Sequence, residues 1–441
     1  MDSARRSRSP LLHRMLRVAA ALLPLALLFP PTKASATEPR PSTKPSDPSS
    51  IAGVPVTRAV APASLINALA AIHKNVPAFS RQTGLACSAC HYQFPQLTPF
   101  GRLFKLNGYT LTGLQTIGQP GDSAGKESLK LSPIPQVAAM VVGSLTQLTK
   151  AAPGTQNGTV VFPDQFSLFL AGELTPKIGA FTQFTYAAPD GSFGIDNVDL
   201  RFANHSTLSD KDWIFGVTLN NNPTVQDVWN TVPAWAFPFM SSPTAPSSIA
   251  STLIDGGLGQ QVLGLGAYSL YDNLLYTEFA AYRSAPQGLA MPLDSSATNV
   301  TDGAIPYWRV ALQKETTSRS YMLGTFGFDA RLFPSGVSGL HNHYTDVGVD
   351  GEYEQRQGAA AWIGRASFIH EKQNLLATED AGGASNIENT LSTVRASVAY
   401  LPNLRHSFTL GYFQTTGSSD ATLYAPTDLT GSRTGSPNTR G

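Results

Sequence analysis

The sequence predicts an all-β protein: an antiparallel transmembrane β-barrel of the outer-membrane type, with a small N-terminal α-helical monohaem cytochrome c domain. Three observations predict it. The chain opens on an export signal, and thirteen short segments of apolar–polar alternation fill most of its C-terminal two thirds. The only two cysteines stand in C-x-x-C-H, at Cys87, Cys90 and His91.

The export signal occupies residues 1–36. Arg5, Arg6, Arg8, Arg14 and Arg17 form its basic start, an apolar run follows from Val18 to Phe29, and Ala34-Ser35-Ala36 offers the small residues of a cleavage site. The apolar run is well short of the roughly 20 residues needed to span a bilayer as a helix. Residues 37–63, rich in Pro, Ser, Thr and Ala without periodicity, read as a flexible linker. A net charge of +1 and 14% charged residues exclude the basic face of a nucleic-acid binder. Two cysteines in 441 exported residues are too few for a disulfide framework, whereas 38 glycines and 9% aromatics suit a large β structure.

Residues 64–130 form the predicted haem domain. In C-x-x-C-H the two thiols reach the two vinyl groups on one edge of a porphyrin, and the histidine directly after them ligates the iron. The competing reading of Cys87 and Cys90 is a disulfide with His91 beside it by chance. One covalently attached haem c is the expected cofactor, with His91 the proximal ligand. Phe79, Phe94, Phe100 and Phe104 are apolar enough to enclose it, and Arg81, Arg102 and Lys105 are suited to its propionates. About 50 residues are too few to bury a haem alone, so walls must come from elsewhere in the chain.

Residues 131–441 carry the alternating segments, from "QVAAMVVGSLTQLT" at Gln136 to "HSFTLGYFQTT" at His406. Each is a weak signal, but thirteen in succession form the transmembrane β-barrel pattern. The connections sort by parity as such a barrel requires. One set is short ("TPK", "STLSDK", "YDN", "TTSR", "QRQ", "PNLR"), and the other includes the long stretches 222–259, 285–305 and 373–388. Bacterial single-chain barrels have even strand numbers. Thirteen therefore implies either a C-terminally incomplete sequence, ending on "DLTGSRTGSPNTRG", or a fourteenth strand inside 222–259.

The segment "AIHKNVPAFSRQTGLACSACHYQFPQLTPFGRLFKLNGYTL" resembles the haem segment of the outer-membrane fused cytochrome-porins, the monohaem iron oxidases. Pro77, Phe79, Arg81, Gln82, Thr83 and Gly84 match before the haem motif. Phe94, Pro95, Leu97, Phe100, Gly101, Arg102, Phe104, Lys105, Gly108 and Tyr109 match after it. "NNPTVQDVWNTVPAWAFPF", from Asn221 to Phe239, resembles a loop of the same family. The resemblance implies a sixteen-stranded barrel in outer-membrane lipid, of which about three strands are absent here. It implies extracellular Fe(II) as electron donor and a periplasmic c-type cytochrome as acceptor, with the haem domain at the periplasmic side or inside the barrel. The alternatives are another extracellular donor or acceptor, a solute porin plugged by its haem domain, and a soluble periplasmic cytochrome with a β-rich partner domain.

The distal haem ligand is open between Met140 and His73. Met140 shares its parity with Gln136, Ser144 and Thr146, which places it on the polar face of the first strand; His73 lies fourteen residues before Cys87. Trp229, Trp235, Phe237 and Phe239 either fold into the lumen over the haem or pack the long loop on itself at the rim. His341 and His343 have the spacing of a metal pair, but no carboxylate or cysteine close in sequence completes a site, and a solvated loop is the default. No Ser-His-Asp constellation, phosphate loop or zinc spacing is present.

Overall fold

The computed structural model describes residues 78–111, 137–147, 157–187, 192–238, 248–284, 299–334, 336, 339–403, 406–425 and 435–441. The expected signal peptide and linker, His73, Pro77 and Phe239 lie outside the described residues.

The haem-motif segment folds as α1 (Ala78–Thr83), α2 (Cys87–Cys90), β1 (His91–Gln93), β2 (Gln96–Leu97) and α3 (Pro99–Leu106), with β1 and β2 paired antiparallel. The rest is one antiparallel sheet. Its strands are β3 (Val137–Thr146), β4 (Thr159–Thr175), β5 (Ile178–Ala187), β6 (Ser192–Leu208), β7 (Lys211–Asn220), β8 (Leu263–Tyr271) and β9 (Leu275–Arg283). They continue as β10 (Asn299–Thr301), β11 (Ile305–Glu315), β12 (Arg319–Pro334), β13 (Asn342–Gln357), β14 (Ala360–Asn374), β15 (Glu388–Asn403), β16 (His406–Gly417) and β17 (Thr439–Arg440). Each long strand pairs with the next in sequence, and the three-residue β10 pairs with the far end of β12.

The thirteen long strands coincide with the thirteen alternating segments. The alternative of a fourteenth strand is not found among the described residues of the long loop, which hold only a 3-10 turn at Pro233–Trp235. Two short strands, β10 and β17, add to the thirteen instead, and β3 and β17 are the edges of the described sheet. Several strands run further into their turns than the hydrophobic pattern indicates. "STLSDK" is mostly strand, and the β6–β7 turn is only Ser209–Asp210, both at positive φ (52° and 60°). That is the left-handed geometry of a two-residue hairpin, whose twist matches its strands.

The sheet curls around the haem-motif segment. Arg81 Nη2 donates to the Val137 carbonyl at the start of β3. The Tyr92 hydroxyl donates to Glu354 on β13 at 3.2 Å, and Gln93 Nε2 donates to Thr409 Oγ1 on β16 at 3.1 Å. Strands near both edges therefore touch one short segment. The long β7–β8 connection enters the same concave space: Trp229 is buried there and its indole N–H donates to Gln313 Oε1 on β11 at 3.1 Å. This selects the lumen reading of Trp229. The physical reason is that Gln313 and Arg309 are themselves buried on the inner face and need partners there.

Candidate cofactor site

Local structure brings the thiols together. α2 is a single helical turn, so Cys87 and Cys90, three apart, share one face. Gly84, at φ +72°, ends α1 and reverses the chain into that turn. α3 then closes over it. Thr98 caps α3 by accepting from Gly101 N at 3.1 Å, and its own hydroxyl donates to the Ala89 carbonyl at 2.6 Å. Gly101 is required for this approach, because a Cβ there would stand 2.1 Å from the Cys90 carbonyl oxygen.

Cys87, Cys90 and His91 all line one cavity of about 400 Å³, within the usual range for cofactor pockets. Both cysteines are free thiols. Burial, and then the neighbouring Cys87, pushes the Cys90 thiol up to about 11. Burial lowers the His91 pKa against the opposing pull of the Pro95 and Gln96 carbonyls, which favours the neutral imidazole that binds metals. His91 Nδ1 stands 3.3 Å from the Pro95 carbonyl oxygen. A hydrogen bond there leaves Nε2 with the lone pair, the arrangement in which a carbonyl behind the ring fixes the tautomer of a ligating histidine. Cys87, Cys90 and His91 are thus the side chains that could hold a haem.

The walls come from three places. Phe79, Phe94 and Phe104 belong to the haem-motif segment, Met140, Phe169 and Phe181 to β3, β4 and β5, and Trp235 to the long connection. The aromatic rings form a chain, with Phe94–Phe169 centroids 6.1 Å apart, Phe169–Phe181 5.9 Å and Phe181–Trp235 6.0 Å. Phe100 is not part of the lining. The expectation of borrowed walls is met. Phe169 and Phe181 carry a sequence signal of their own: each is an aromatic on the otherwise polar parity of its strand, among Gln165, Ser167, Gln183 and Thr185.

The three basic residues separate. Lys105 lines the cavity; Arg81 and Arg102 do not. Arg102 points into the wall, where its guanidinium meets Glu315 at 2.8 Å and Glu352 and Glu354 at 2.9 Å each, with Ser320 Oγ at 2.9 Å. The expected propionate role of Arg102 does not match this geometry, because its terminal nitrogens are already engaged by three carboxylates. Arg81 is bonded to the β3 backbone. Lys105 Nζ donates to the carbonyls of Val225 (2.7 Å) and Asp227 (2.9 Å) and sits 4.9 Å from the Trp235 ring centre. An ammonium has three N–H donors, so one is left for the cavity. Burial and then Arg201 lower the Lys105 pKa to about 7, against Asp199, Asp227 and Glu278.

Met140 stands on the inner face of β3 and lines the cavity, as its parity implied. His341 and His343 are not brought to one centre: His341 pairs with Asp302 at 3.2 Å and His343 with Asp329 at 2.8 Å. Among the described residues no group of three or more metal-ligating side chains is found.

No protein-family model matches the chain, and no curated protein matches it in sequence. Among solved structures it is similar to OmpT (in-vitro folded), an outer membrane protein of Vibrio cholerae. That match has 9% identity and a TM-score of 0.30, and covers 67% of this chain and 89% of that one.

Proposed function

We propose that the chain is an outer-membrane β-barrel carrying one haem c, and that it takes electrons from extracellular Fe(II) and passes them to a periplasmic c-type cytochrome. The observation that carries the reading is the cavity. It brings two free thiols and a carbonyl-oriented imidazole to one apolar space on the concave side of the sheet.

The two faces of the sheet support the membrane. Outward-facing residues are apolar, with Leu323 62% and Leu410 80% exposed, while Glu278, Arg309, Glu352, Glu354 and Glu371 are buried on the inner face. That inverts the distribution of a water-soluble protein and matches strands that are apolar toward lipid and polar toward a lumen.

The haem, when bound, supplies a one-electron couple. The chain's own residues provide the rest. Cys87 and Cys90 would hold it covalently, His91 would offer Nε2 to its iron, and Met140 would offer a thioether from the wall of the same cavity. Phe79, Phe94, Phe104, Phe169 and Phe181 exclude water, and Lys105 offers its remaining N–H to a propionate.

The test is anaerobic addition of Fe(II) to outer membranes carrying the oxidised protein, with the haem absorption followed against a chelated-iron control. Rapid reduction is expected. Reduction by dithionite but not by Fe(II) would leave a cytochrome-porin with a different donor.

A further inference from the structure

A second cavity, of about 190 Å³, adjoins the first. The two share Phe94, Pro95, Met140, Phe169, Phe181 and Trp235 as a common wall. The second adds the carboxamides of Gln165, Gln183 and Asn197, and no charged residue lines it among the described residues, whereas Lys105 and Asp227 line the first.

Strand register places it. β4 begins at a long connection and ends at a tight turn; along it the haem cavity takes Phe169 and Ala171, and the second cavity takes Gln165 and Phe169. β5 runs the other way, and there Phe181 is shared while Gln183, nearer the 188–191 connection, belongs to the second cavity alone. The second cavity therefore lies on the side of the haem cavity that faces the β3–β4 and β5–β6 connections, opposite the tight β4–β5 turn.

The amides are held in one orientation. Gln165 Nε2 donates to Ser167 Oγ at 2.8 Å, Gln183 Nε2 donates to Thr185 Oγ1 at 3.3 Å, and the two hydroxyls bond to each other at 2.7 Å. One N–H of each amide is thereby tied to the wall, which fixes the side chain and leaves its carbonyl oxygen, with one N–H, for the chamber.

We propose that this chamber is the donor vestibule: it receives a hydrated divalent cation, whose coordinated waters donate to the Gln165 and Gln183 carbonyls, across an aromatic wall from the haem. It rests on the reading above, in which that cation is Fe(II). Each cation gives one electron to the haem iron and leaves as Fe(III). No bond to the protein forms or breaks, and protons lost as Fe(III) hydrolyses go to water. Neutral oxygens suit hard hydrated cations. They also favour release, because the attraction of a carboxylate grows with cation charge and would hold the trivalent product more tightly than the substrate.

The test uses the full-length, haem-loaded protein in outer membranes. The variant Gln165→Leu/Gln183→Leu is expected to keep its haem content and its reduction by dithionite, but to be reduced by Fe(II) at least tenfold more slowly. Mn(II), which does not reduce haem, is the second probe: it should speed relaxation of the ferric haem resonance in the wild type and lose that effect in the double variant. Gln183→Glu, which keeps the side-chain shape, should tighten the Mn(II) response. Equal Fe(II) rates in wild type and double variant, or a Mn(II) response indifferent to either change, would overturn the vestibule while leaving iron oxidation standing. A wild type reduced by dithionite but not by Fe(II) overturns the iron reading instead, and the Mn(II) response then decides the chamber as a cation site by itself.

Discussion

Around the same short segment, β3–β5 and β11–β14 present opposite surfaces. The first wall offers Met140, Phe169, Ala171 and Phe181, and encloses a cavity. The second offers Arg309, Glu315, Glu352, Glu354 and Arg365, and is saturated with ion pairs. Arg102 meets three of those carboxylates, Arg309 reaches Asp350 at 2.7 Å, and Arg365 reaches Glu352 at 2.7 Å. One wall meets the segment across a space lined by apolar side chains, and the other meets it through paired charges. The difference teaches a division of labour: one wall lines a cavity against the segment, and the other fastens the segment by charge.

The largest expected effect separates the two walls outright. Cys87→Ala/Cys90→Ala should remove all covalently bound haem, read by haem staining of denatured protein, while outer-membrane protein levels stay unchanged. A matching loss of protein would mean that the cavity wall cannot form without its guest, and the division would fail.

Next in size is the fastening. Arg102→Met leaves Glu315, Glu352 and Glu354 facing one another without their shared cation. Breaking a buried pair from one side costs roughly 3–5 kcal/mol, so the urea midpoint of the refolded protein should fall clearly. An unchanged midpoint would show that the charged wall stands without the segment.

The smallest effect lies apart from both walls, at Lys105, which the β7–β8 connection holds through Val225 and Asp227. Its pKa is lowered to about 7 from 10.5. Between those values, in the haem-free Cys87→Ala/Cys90→Ala protein where no propionate holds the ammonium, the unfolded chain binds a proton that the folded chain does not, so stability should rise with pH across that window. Lys105→Met removes the difference. Urea unfolding at several pH values between 7 and 10 should show a shallower pH slope in the variant, and equal slopes would place the lysine in contact with water.

Much of this architecture was legible in the sequence. A strand buries one face and exposes the other, so period two reports it locally, and all thirteen long strands were readable. The parity that put Met140 inside was readable for the same reason. Strand ends were less so, because at "STLSDK" polar residues continue the hairpin after the hydrophobic signal stops. The place of Arg102 was not legible, because a basic residue near a haem motif suits a propionate while its true partners are 213 to 252 residues away in sequence.

The sequence by itself determined the strands, their inward and outward faces, and the spacing of two thiols and an imidazole, since each depends on neighbours a few residues apart. Only the tertiary structure decided that Lys105 rather than Arg102 reaches the cavity, that Phe169, Phe181 and Trp235 wall it, and that the long loop turns inward. Those outcomes depend on which strands the curled sheet brings opposite the segment, and no local periodicity encodes contacts across a lumen.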